Sequence, residues 1–349
     1  FIFFQFFIIA NAQFPGAYVS SSNYSGTYNM NNNLVVGSVG GKGGVSSGGS
    51  TNYSVPIQVP SGLNGLVPSV SINYSSNNGN GISGYGFCLS ATSSIAYDSK
   101  GLYYDAVVAA ADITNGSAFA LDGNRLILTT GTYGQSGAVY STASETFSKI
   151  TSSGSTGTCS SCPQSFSVIT RNGMTMEYGN TTDSRVTGNA STFPFMWLLN
   201  KVTDNYGNYL KYSYTNNSTT GEVLLMQIDY YTSTNTMYAQ VEFGYTDNRS
   251  DKNTIIEYGS DVNQIHQTES NKLLTSIEVK SENQLVREYE LKYSFDGFYS
   301  FLQEIILKGA DGITALNPTW FNYGETSPTN FQSLSNTTSY TSTDFFPVD

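Results

Sequence analysis

The sequence has little charge and few basic residues. Aspartate, glutamate, lysine and arginine make up 12% of its 349 residues, against roughly 25% in typical soluble proteins. Lysine and arginine number 15 against 26 aspartates and glutamates, which gives a formal net charge of −11. This balance argues against nucleic-acid binding through a basic surface. With 14% aromatic residues and no heptad pattern, the chain is also unlike disordered segments and coiled coils.

The sequence contains one histidine and lacks the common catalytic motifs. A Ser–His–Asp or Cys–His site would have to use His266, which lies in a polar stretch and is expected at the surface or in a turn. No GxSxG, HExxH, P-loop or Rossmann fingerprint occurs. Glu288 and Glu290 share one face of a predicted strand, where a solvated face is a simpler interpretation than glycoside hydrolysis. We therefore predict no enzyme activity and no catalytic, cofactor-binding or metal-binding residues.

Three cysteines are present. Cys159 and Cys162 form a single CxxC in a loop rich in Ser, Gly and Thr. Zinc requires four ligands, so one other cysteine and one histidine make a zinc site unfavourable. A small loop disulfide is favoured in an exported protein, and a reduced pair stays open as the alternative. Cys88 lies in an apolar segment and is predicted to be a buried free thiol.

A long hydrophobic run occurs at the N-terminus. Phe1–Ala10 is apolar except for Gln5, and Ala10-Asn11-Ala12 fits the small-x-small pattern of a signal-peptidase site. The run is shorter than the ~20 residues that span a bilayer. Residues 1–12 are therefore predicted to be a signal peptide, and the mature protein is predicted to be secreted, extracellular or held at the cell surface. Residues 13–50, rich in Gly, Ser, Asn and Tyr, are predicted to be a flexible lead-in.

Tyrosine and glycine are abundant, and short β-type runs follow one another from residue 51 onward. Alternation of apolar and polar residues indicates strands, and clusters of Gly, Asn and Asp indicate the turns between them. We predict an all-β fold of antiparallel Tyr/Gly-rich sheets with almost no helix, at most one turn at Val107–Ala111. The predicted strands are Ser54–Val59, Ser69–Ser75, Arg125–Thr130, Thr146–Ile150, Ser165–Thr170, Met174–Tyr178, Trp197–Val202, Tyr209–Tyr214, Val223–Tyr230, Tyr238–Tyr245, Leu273–Lys280, Leu285–Tyr293 and Leu302–Leu307.

Three stretches share an apolar strand, a turn and a Tyr-rich strand. They are Leu198–Tyr214, Leu273–Tyr293 and Leu302–Tyr323. Such stretches are either repeats that stack into one sheet or parts of an ordinary antiparallel meander, and the sequence leaves both interpretations open.

One segment carries a specific family pattern. A strand that ends at Pro60 is followed by a glycine turn, then by Leu66-Val67-Pro68-Ser69-Val70-Ser71-Ile72-Asn73-Tyr74-Ser75 and by the loop Asn78-Gly79-Asn80-Gly81. Together with Gly84-Tyr85-Gly86-Phe87, where Phe87 replaces the usual Trp, this resembles the N-terminal signature of the Salmonella plasmid virulence protein B family. That family includes the B components of insecticidal toxin complexes and is related to RHS and YD-repeat proteins.

Further matches to this family follow in chain order at Leu121–Leu128, Asn172–Gly179 and Trp197–Tyr209. The resemblance implies an RHS-like shell, in which such sheets form a hollow cocoon around a toxic C-terminal polypeptide with a propeller beside it. Residues 51–325 are then expected to form the shell domain. Residues 326–349 are expected to be a linker towards a downstream region, such as an FG-GAP propeller.

The leading functional hypothesis from this resemblance is a non-catalytic shell or scaffold segment of a secreted, RHS-like or toxin-complex-like protein. Its expected partners are its own C-terminal effector region and other toxin-complex subunits. No nucleic acid, no cofactor and no transmembrane segment after signal removal are expected. The alternative is a cell-surface adhesion or glycan-binding β-module, in which exposed Tyr and Trp stack on sugars. An enzyme, as a third hypothesis, would need a groove with paired carboxylates and aromatic walls.

Overall fold

The computed structural model describes residues 31–111, 117–157, 159, 161–187, 193–246, 249–257 and 266–323. The predicted signal peptide, the first part of the lead-in and the predicted linker 326–349 lie outside these residues. The described residues from 31 to 321 belong to one compact unit. Its described part consists almost wholly of antiparallel strands, which confirms the all-β prediction.

Helical structure in the described residues is confined to α1 (Leu102–Asp105) and a 3₁₀ turn at Leu63–Gly65. The prediction of a helical turn at Val107–Ala111 is wrong: the turn lies at Leu102–Asp105, and residues 107–111 are not helical. The backbone of Ala106, at φ 56°, adopts the left-handed conformation that ends a helix. Within the described residues, no helix has the length and hydropathy needed to cross a membrane.

The first strands of the chain build a small sheet. The first seven strands are β1 (Val35–Ser38), β2 (Lys42–Val45), β3 (Thr51–Pro56), β4 (Ser71–Ser75), β5 (Asn80–Gly81), β6 (Gly84–Tyr85) and β7 (Phe87–Ser90). Strands β2, β3, β4 and β7 pair in that order and are called the N-terminal sheet. Tyr53, Tyr74 and Phe87 lie opposite one another across it, which places three aromatic side chains on one face.

Strands β1 and β2 correct the prediction for the lead-in. The composition of residues 13–50 predicts a flexible segment, whereas residues 35–38 and 42–45 form strands. Strand β2 pairs with β3, and β1 pairs with residues 316–317. Pairing with the next strand for β2, and with a distant part of the chain for β1, supplies the order that a Gly-rich sequence does not indicate by itself.

The next strands close into a ring. They are β8 (Ser94–Tyr97), β9 (Phe119–Leu121), β10 (Asn124–Thr130), β11 (Val139–Thr142), β12 (Lys149–Ser153), β13 (Ser165–Ile169), β14 (Thr175–Tyr178), β15 (Arg185–Val186) and β16 (Met196–Thr203). All except β15 form a closed circuit of backbone pairing, called the ring. Strand β16 closes it, because its first half pairs with β8 and its second half pairs with β14.

An aromatic core accompanies the ring. Trp197 on β16 is fully buried, and its ring centroid lies 4.9 Å from that of Phe166 and 5.6 Å from that of Phe119. The indole N–H donates a hydrogen bond to the carbonyl of Pro163 at 3.1 Å. Gly179 packs against the indole at φ +67°, and an added Cβ would lie 2.3 Å from Cδ1 of Trp197. Only glycine fits there, for reasons of both backbone conformation and space.

A long meander extends from the ring. Its strands and their neighbours are β17 (Tyr209–Asn216), β18 (Val223–Tyr231), β19 (Met237–Tyr245), β20 (Asn253–Glu257), β21 (His266–Ser270), β22 (Leu274–Ser281), β23 (Gln284–Phe295), β24 (Ser300–Lys308), β25 (Leu316–Asn317) and β26 (Thr319–Trp320). From β16 the order β17, β18, β19, β22, β23, β24, β26 forms the extension sheet. Strands β20 and β21 pair with each other, and β25 pairs with β1.

Tyrosine hydroxyls attach the connection between β3 and β4 to one face of the extension sheet. We call this connection, residues 57–70, the N-terminal segment. The hydroxyl of Tyr289 accepts a hydrogen bond from the N–H of Gln58 at 3.1 Å. The hydroxyl of Tyr230 donates one to the carbonyl of Pro60 at 3.2 Å. Both tyrosines are buried, so each combines a buried ring with a satisfied polar tip. The chain therefore covers this apolar face with its own N-terminal segment.

Each predicted strand overlaps an observed one, with shifted ends. Thr146–Ile150 is among the most displaced, because the strand is Lys149–Ser153. Phe147 has φ +56°, outside the β region, so the strand begins after it. Two of the three similar stretches correspond to hairpins of the extension sheet: Leu198–Tyr214 contains most of β16 and β17, and Leu273–Tyr293 contains β22 and most of β23.

Candidate functional site

The face of the extension sheet opposite the covered one carries charged and amide side chains. On five neighbouring strands, one row across the sheet consists of Gln227, Glu242, Glu278, Glu288 and Lys308. We call this side the polar face. Because side chains alternate along a strand, residues two positions away share this side. They include Asp229, Gln240, Lys280 and Glu290.

Lys280 compensates the first part of the acidic row. Its Nζ lies 2.6 Å from Oε2 of Glu242 and 2.9 Å from Oε2 of Glu278, one carboxylate on each of two adjacent strands. Like charges directly opposite each other in a sheet are destabilising. The lysine converts this repulsion into two ion pairs.

Lys308 compensates the second part and binds Glu288 and Glu290, the carboxylate pair that shares one strand face. Its Nζ lies 3.3 Å from Glu288 Oε1 and 3.3 Å from Glu290 Oε2. A glycoside hydrolase needs one carboxyl as an acid and another as a nucleophile or base, on either side of a substrate. Here a single ammonium group binds both carboxylates. The arrangement favours a charge-compensated strand face over a hydrolase site.

Asp229 is a buried carboxylate on the polar face. The side-chain amide of Gln227 donates to both of its oxygens, at 3.0 and 2.9 Å. Lys211 and Gln240 lie opposite it on the two neighbouring strands. Burial raises the pKa of Asp229 above its ordinary value, and the Gln227 amide and the Lys211 charge offset this only in part.

Tyr209 and Tyr231 continue the polar face towards the ring. Their rings stack with centroids 4.7 Å apart and an interplanar angle of 10°. The ammonium group of Lys201 on β16 lies 4.4 Å from the centroid of Tyr209, which is the geometry of a cation–π contact. The polar face is therefore a continuous surface from the ring to the last strands of the sheet.

The loop of the family signature is held by a buried ion pair. Arg249 donates to Asp251 through Nε and one terminal nitrogen, each at 3.0 Å. The remaining N–H groups donate to the carbonyl of Gly81 at 3.0 Å, to Oδ1 of Asn80 at 2.6 Å and to Oγ of Ser270 at 3.0 Å. Both charged residues are buried. Asn80 and Gly81 thus have a structural role that their turn-forming residue types do not indicate.

Asp251 extends this network to the start of β24. It accepts hydrogen bonds from the backbone N–H of Ser300 at 2.7 Å, the Ser300 hydroxyl at 2.6 Å and the Asn80 amide at 2.9 Å. Burial by itself would raise the pKa of Asp251, but the hydrogen bonds from Arg249, Ser300 and Asn80 hold it well below its ordinary value. The network joins the signature loop to the extension sheet.

The matched segment Leu121–Leu128 uses its charged residues to fix the β8–β9 connection. The side chain of Asp122 accepts a hydrogen bond from the N–H of Ser94 at 2.9 Å. Arg125 lies 2.6 Å from Asp105 and 3.3 Å from Asp98. The two charged residues of this matched segment, Asp122 and Arg125, therefore both have partners within the chain.

Asp204 organises the turn of the matched segment Trp197–Tyr209. Its Oδ1 accepts the backbone N–H groups of Tyr206 and Asn208, each at 2.8 Å, and its Oδ2 accepts the Asn208 amide at 2.8 Å. Burial tends to raise the pKa of Asp204, but these hydrogen bonds lower it overall. The carboxylate is thus a turn-forming group, as in Asx turns generally.

The structure locates the cysteines and the histidine. Cys159 and Cys162 form a disulfide, the favoured interpretation of the CxxC. Cys88 is a free thiol as predicted, but it is half-buried rather than buried, and burial raises its pKa. His266 was expected at the surface or in a turn; it is the first residue of strand β21, so the turn alternative is wrong. Among the residues that the structure describes, no cluster of three His, Cys, Asp or Glu could hold a metal ion.

Comparison with protein families identifies the chain's relatives. The family described as Salmonella virulence plasmid 65kDa B protein (SpvB) matches residues 45–103 and 141–288, more than half of the sequence. The chain belongs to this family. The two matched ranges include the signature loop at Asn80, its anchor Arg249 and the polar-face residues Glu242 and Glu278. No curated protein sequence matches the chain.

Solved structures share the fold of this chain. The N-terminal domain of effector protein SpvB from Salmonella typhimurium strain LT2 is similar with a TM-score of 0.58 and 16% identity, over 73% of this chain and 98% of that one. TcdB2-TccC3 is similar with a TM-score of 0.62 and 15% identity, over 82% of this chain and 16% of that one. The Photorhabdus luminescens Tc holotoxin pore gives a TM-score of 0.62 and 15% identity, over 83% and 16% of the two chains. The chain thus matches nearly all of one N-terminal domain and a minor part of much longer toxin chains.

Proposed function

We propose that this chain is a non-catalytic shell segment of a longer, secreted, toxin-complex-like protein that encloses or presents a C-terminal effector region. Membership of the SpvB family and the fold shared with toxin-complex chains support this role. The observation that carries the proposal is the two-sided extension sheet. Its apolar face is covered by the chain's own N-terminal segment, and its other face is the polar face.

In this proposal the polar face is the inner wall of the shell. A wall beside an enclosed polypeptide must not bind it tightly, so it should present neither a strong net charge nor a large apolar patch. Lys280 and Lys308 each bind two glutamates, so these six charges sum to −2 instead of the −4 of the glutamates alone. The paired charges keep water at the wall and limit its attraction for one sign of charge.

The strand edges support the proposal of a segment that continues into further sheet. Within the described residues, β2 pairs on one side, with β3, and all four of its residues are exposed. An open edge of this kind accepts another strand through backbone hydrogen bonds. A neighbouring part of the longer protein would join there.

The non-catalytic part of the proposal rests on how the carboxylates are used. Glu288 and Glu290 bind Lys308, Asp251 binds Arg249, and Asp204 holds a turn. Each group is engaged by partners within the chain rather than directed at a shared empty site. Such engagement is typical of structural ion pairs.

Limited proteolysis of the longer protein tests the proposal. We expect its C-terminal region to be cut slowly within the whole protein and rapidly when it is expressed alone. Arg249→Ala should loosen the signature loop and speed the cutting. Lys252→Ala, which removes an exposed positive charge close by, is the matched control and should leave the protection unchanged.

Equal cutting of the C-terminal region in both contexts would contradict the shell role. Turnover of a substrate by this chain would contradict its non-catalytic part. Saturable binding of a glycan without any protection would instead support the adhesion alternative.

A further inference from the structure

The loop between β8 and β9 projects from the ring on a closed base. The backbone N–H of Lys100 donates to the carbonyl of Ala109 at 2.9 Å, and the N–H of Ala109 donates back to Lys100 at 3.3 Å. This isolated antiparallel bridge separates residues 101–108 from the strands. All of these residues are exposed except Gly101 and Asp105. We call residues 101–108 the apolar loop.

The apolar loop presents five large hydrophobic side chains to solvent: Leu102, Tyr103, Tyr104, Val107 and Val108. Tyr103 is 89% exposed. Single exposed hydrophobic residues are ordinary on protein surfaces, whereas a contiguous exposed group marks an interaction site. These residues are not part of the ring core, where Trp197 packs against Phe166 and Phe119.

The only charged group of the apolar loop is turned back to the fold. Asp105 accepts a hydrogen bond from the N–H of Gly101 at 2.8 Å and pairs with Arg125 at 2.6 Å. The Arg125 guanidinium also lies 5.0 Å from the ring centroid of Tyr104. The ion pair and this contact hold the loop in one shape and remove its charge from the exposed side. The loop is therefore preformed and electrically neutral.

We propose that the apolar loop inserts into the surface of a lipid bilayer. Its shape is a projection on a narrow base, which suits shallow penetration of a soft surface. Leu102 and Val108 would enter the boundary of the acyl chains, and Tyr103 would lie at the level of the headgroups, where tyrosine is enriched. No charge has to be dehydrated for this insertion, because Asp105 and Arg125 are paired behind the loop.

The size and charge of the surface favour a bilayer over a second copy of the chain. A specific protein interface uses roughly 20–30 residues on each side, and the apolar loop offers five large side chains. Two copies, each with a net charge of −11, would also repel each other. The same charge favours a zwitterionic surface over an anionic one.

Fluorescence of the full chain tests this proposal at the loop itself. Tyr103→Trp places an indole at the most exposed position of the apolar loop, and Phe298→Trp places one at a different exposed position, 78% exposed. With phosphatidylcholine vesicles, we expect a blue shift for position 103 and quenching by doxyl-labelled lipid, and neither for position 298. The two natural tryptophans are the same in both variants. The readout is local, so membrane contact through another part of the chain does not produce it.

A second pair of variants measures the affinity. Leu102→Ser with Val108→Ser should lower the vesicle partition coefficient about tenfold or more, given the contribution of each buried methylene group. Val36→Ser, at another exposed apolar position, should leave it unchanged. Circular dichroism confirms that each variant is folded.

Three results would overturn the proposal. The first is an unchanged emission of Tyr103→Trp on vesicles. The second is binding that requires phosphatidylserine. The third is a blue shift that appears without lipid as protein concentration rises, which would assign the loop to contact between copies.

Discussion

Arg249 and Asp251, two positions apart in the chain, form a bidentate ion pair with side chains that are 0% and 2% exposed. Five hydrogen bonds use the five N–H groups of the guanidinium. The signature loop at Asn80 and the start of β24 at Ser300 both bind this pair. It connects parts of the chain that are distant in sequence.

Removing one partner of this pair should strongly destabilise the protein. Arg249→Ala leaves Asp251 charged, buried and unpaired, which lowers the free energy of unfolding by about 3–5 kcal/mol. Urea denaturation measures the change. Lys252→Ala, at an exposed position, should change it by less than about 0.5 kcal/mol. Equal effects of the two substitutions would show that the ion pair does not hold the loop.

Asp229 should make stability fall as pH rises. Its pKa is raised in the folded state by burial, so the folded protein binds the proton more tightly than the unfolded chain, whose ordinary value is about 3.9. The favourable contribution is complete below that value and is lost as pH rises through the raised folded pKa. The stability of Asp229→Asn relative to the parent should therefore increase between pH 4 and pH 7.

Asp204 is the matched control because its pKa is lowered rather than raised. Its contribution is present above about 3.9 and is lost as pH falls through the lowered folded pKa. Asp204→Asn should be more destabilising at pH 7 than at acidic pH, the reverse of Asp229→Asn. Chemical denaturation across this pH range checks both signs, and parallel curves for the two variants would contradict the assignment.

Gly179 tests the packing of the ring core. Gly179→Ala adds a Cβ 2.3 Å from Trp197 Cδ1 at a backbone φ of +67°, and should lower the unfolding free energy by more than about 2 kcal/mol. Gly137 also has a positive φ, +85°, but open space around it. Gly137→Ala should show the backbone strain alone, about 1 kcal/mol. If the two variants were equally stable, the contact with Trp197 would not be limiting.

The disulfide should contribute little. Cys159 and Cys162 are three positions apart, and closing so small a loop removes limited entropy from the unfolded chain, about 2 kcal/mol in the chain-entropy model. Replacing both by serine should lower the melting temperature by only a few degrees and leave any binding unchanged. Calorimetry checks this, and loss of folding would contradict it.

The sequence predicts the extension sheet well, because its signals are local. Alternation in Leu285–Tyr293 and the turn at Tyr206–Asn208 depend on neighbouring residues, and the observed strands β23 and β17 lie where expected. Strands β1 and β2 were not predicted, because their Gly-rich sequence has no alternation; β1 is ordered by a distant partner and β2 by a hairpin with β3. Closure of the ring also depends on a pairing that local patterns do not contain, between β14 and β16.

The candidate site was predicted less well, for the same reason. Glu242, Glu278 and Glu288 become neighbours only through strand register. The ion pair of Arg249 and Asp251 lies in a polar stretch that reads as an ordinary loop. The available signal for this ion pair was the closeness of two opposite charges in a chain in which only 12% of residues are charged.

Photo-crosslinking within the longer protein tests the central claim, that this chain is a shell with the polar face inside. A photoreactive amino acid at Gln240 on the polar face should cross-link to the C-terminal region. The same group at Tyr103 in the apolar loop should not. Mass spectrometry of the cross-linked peptides identifies the partner. Cross-links from Gln240 to the C-terminal region, absent from Tyr103, are the predicted result, and cross-links from Tyr103 without any from Gln240 would contradict the account.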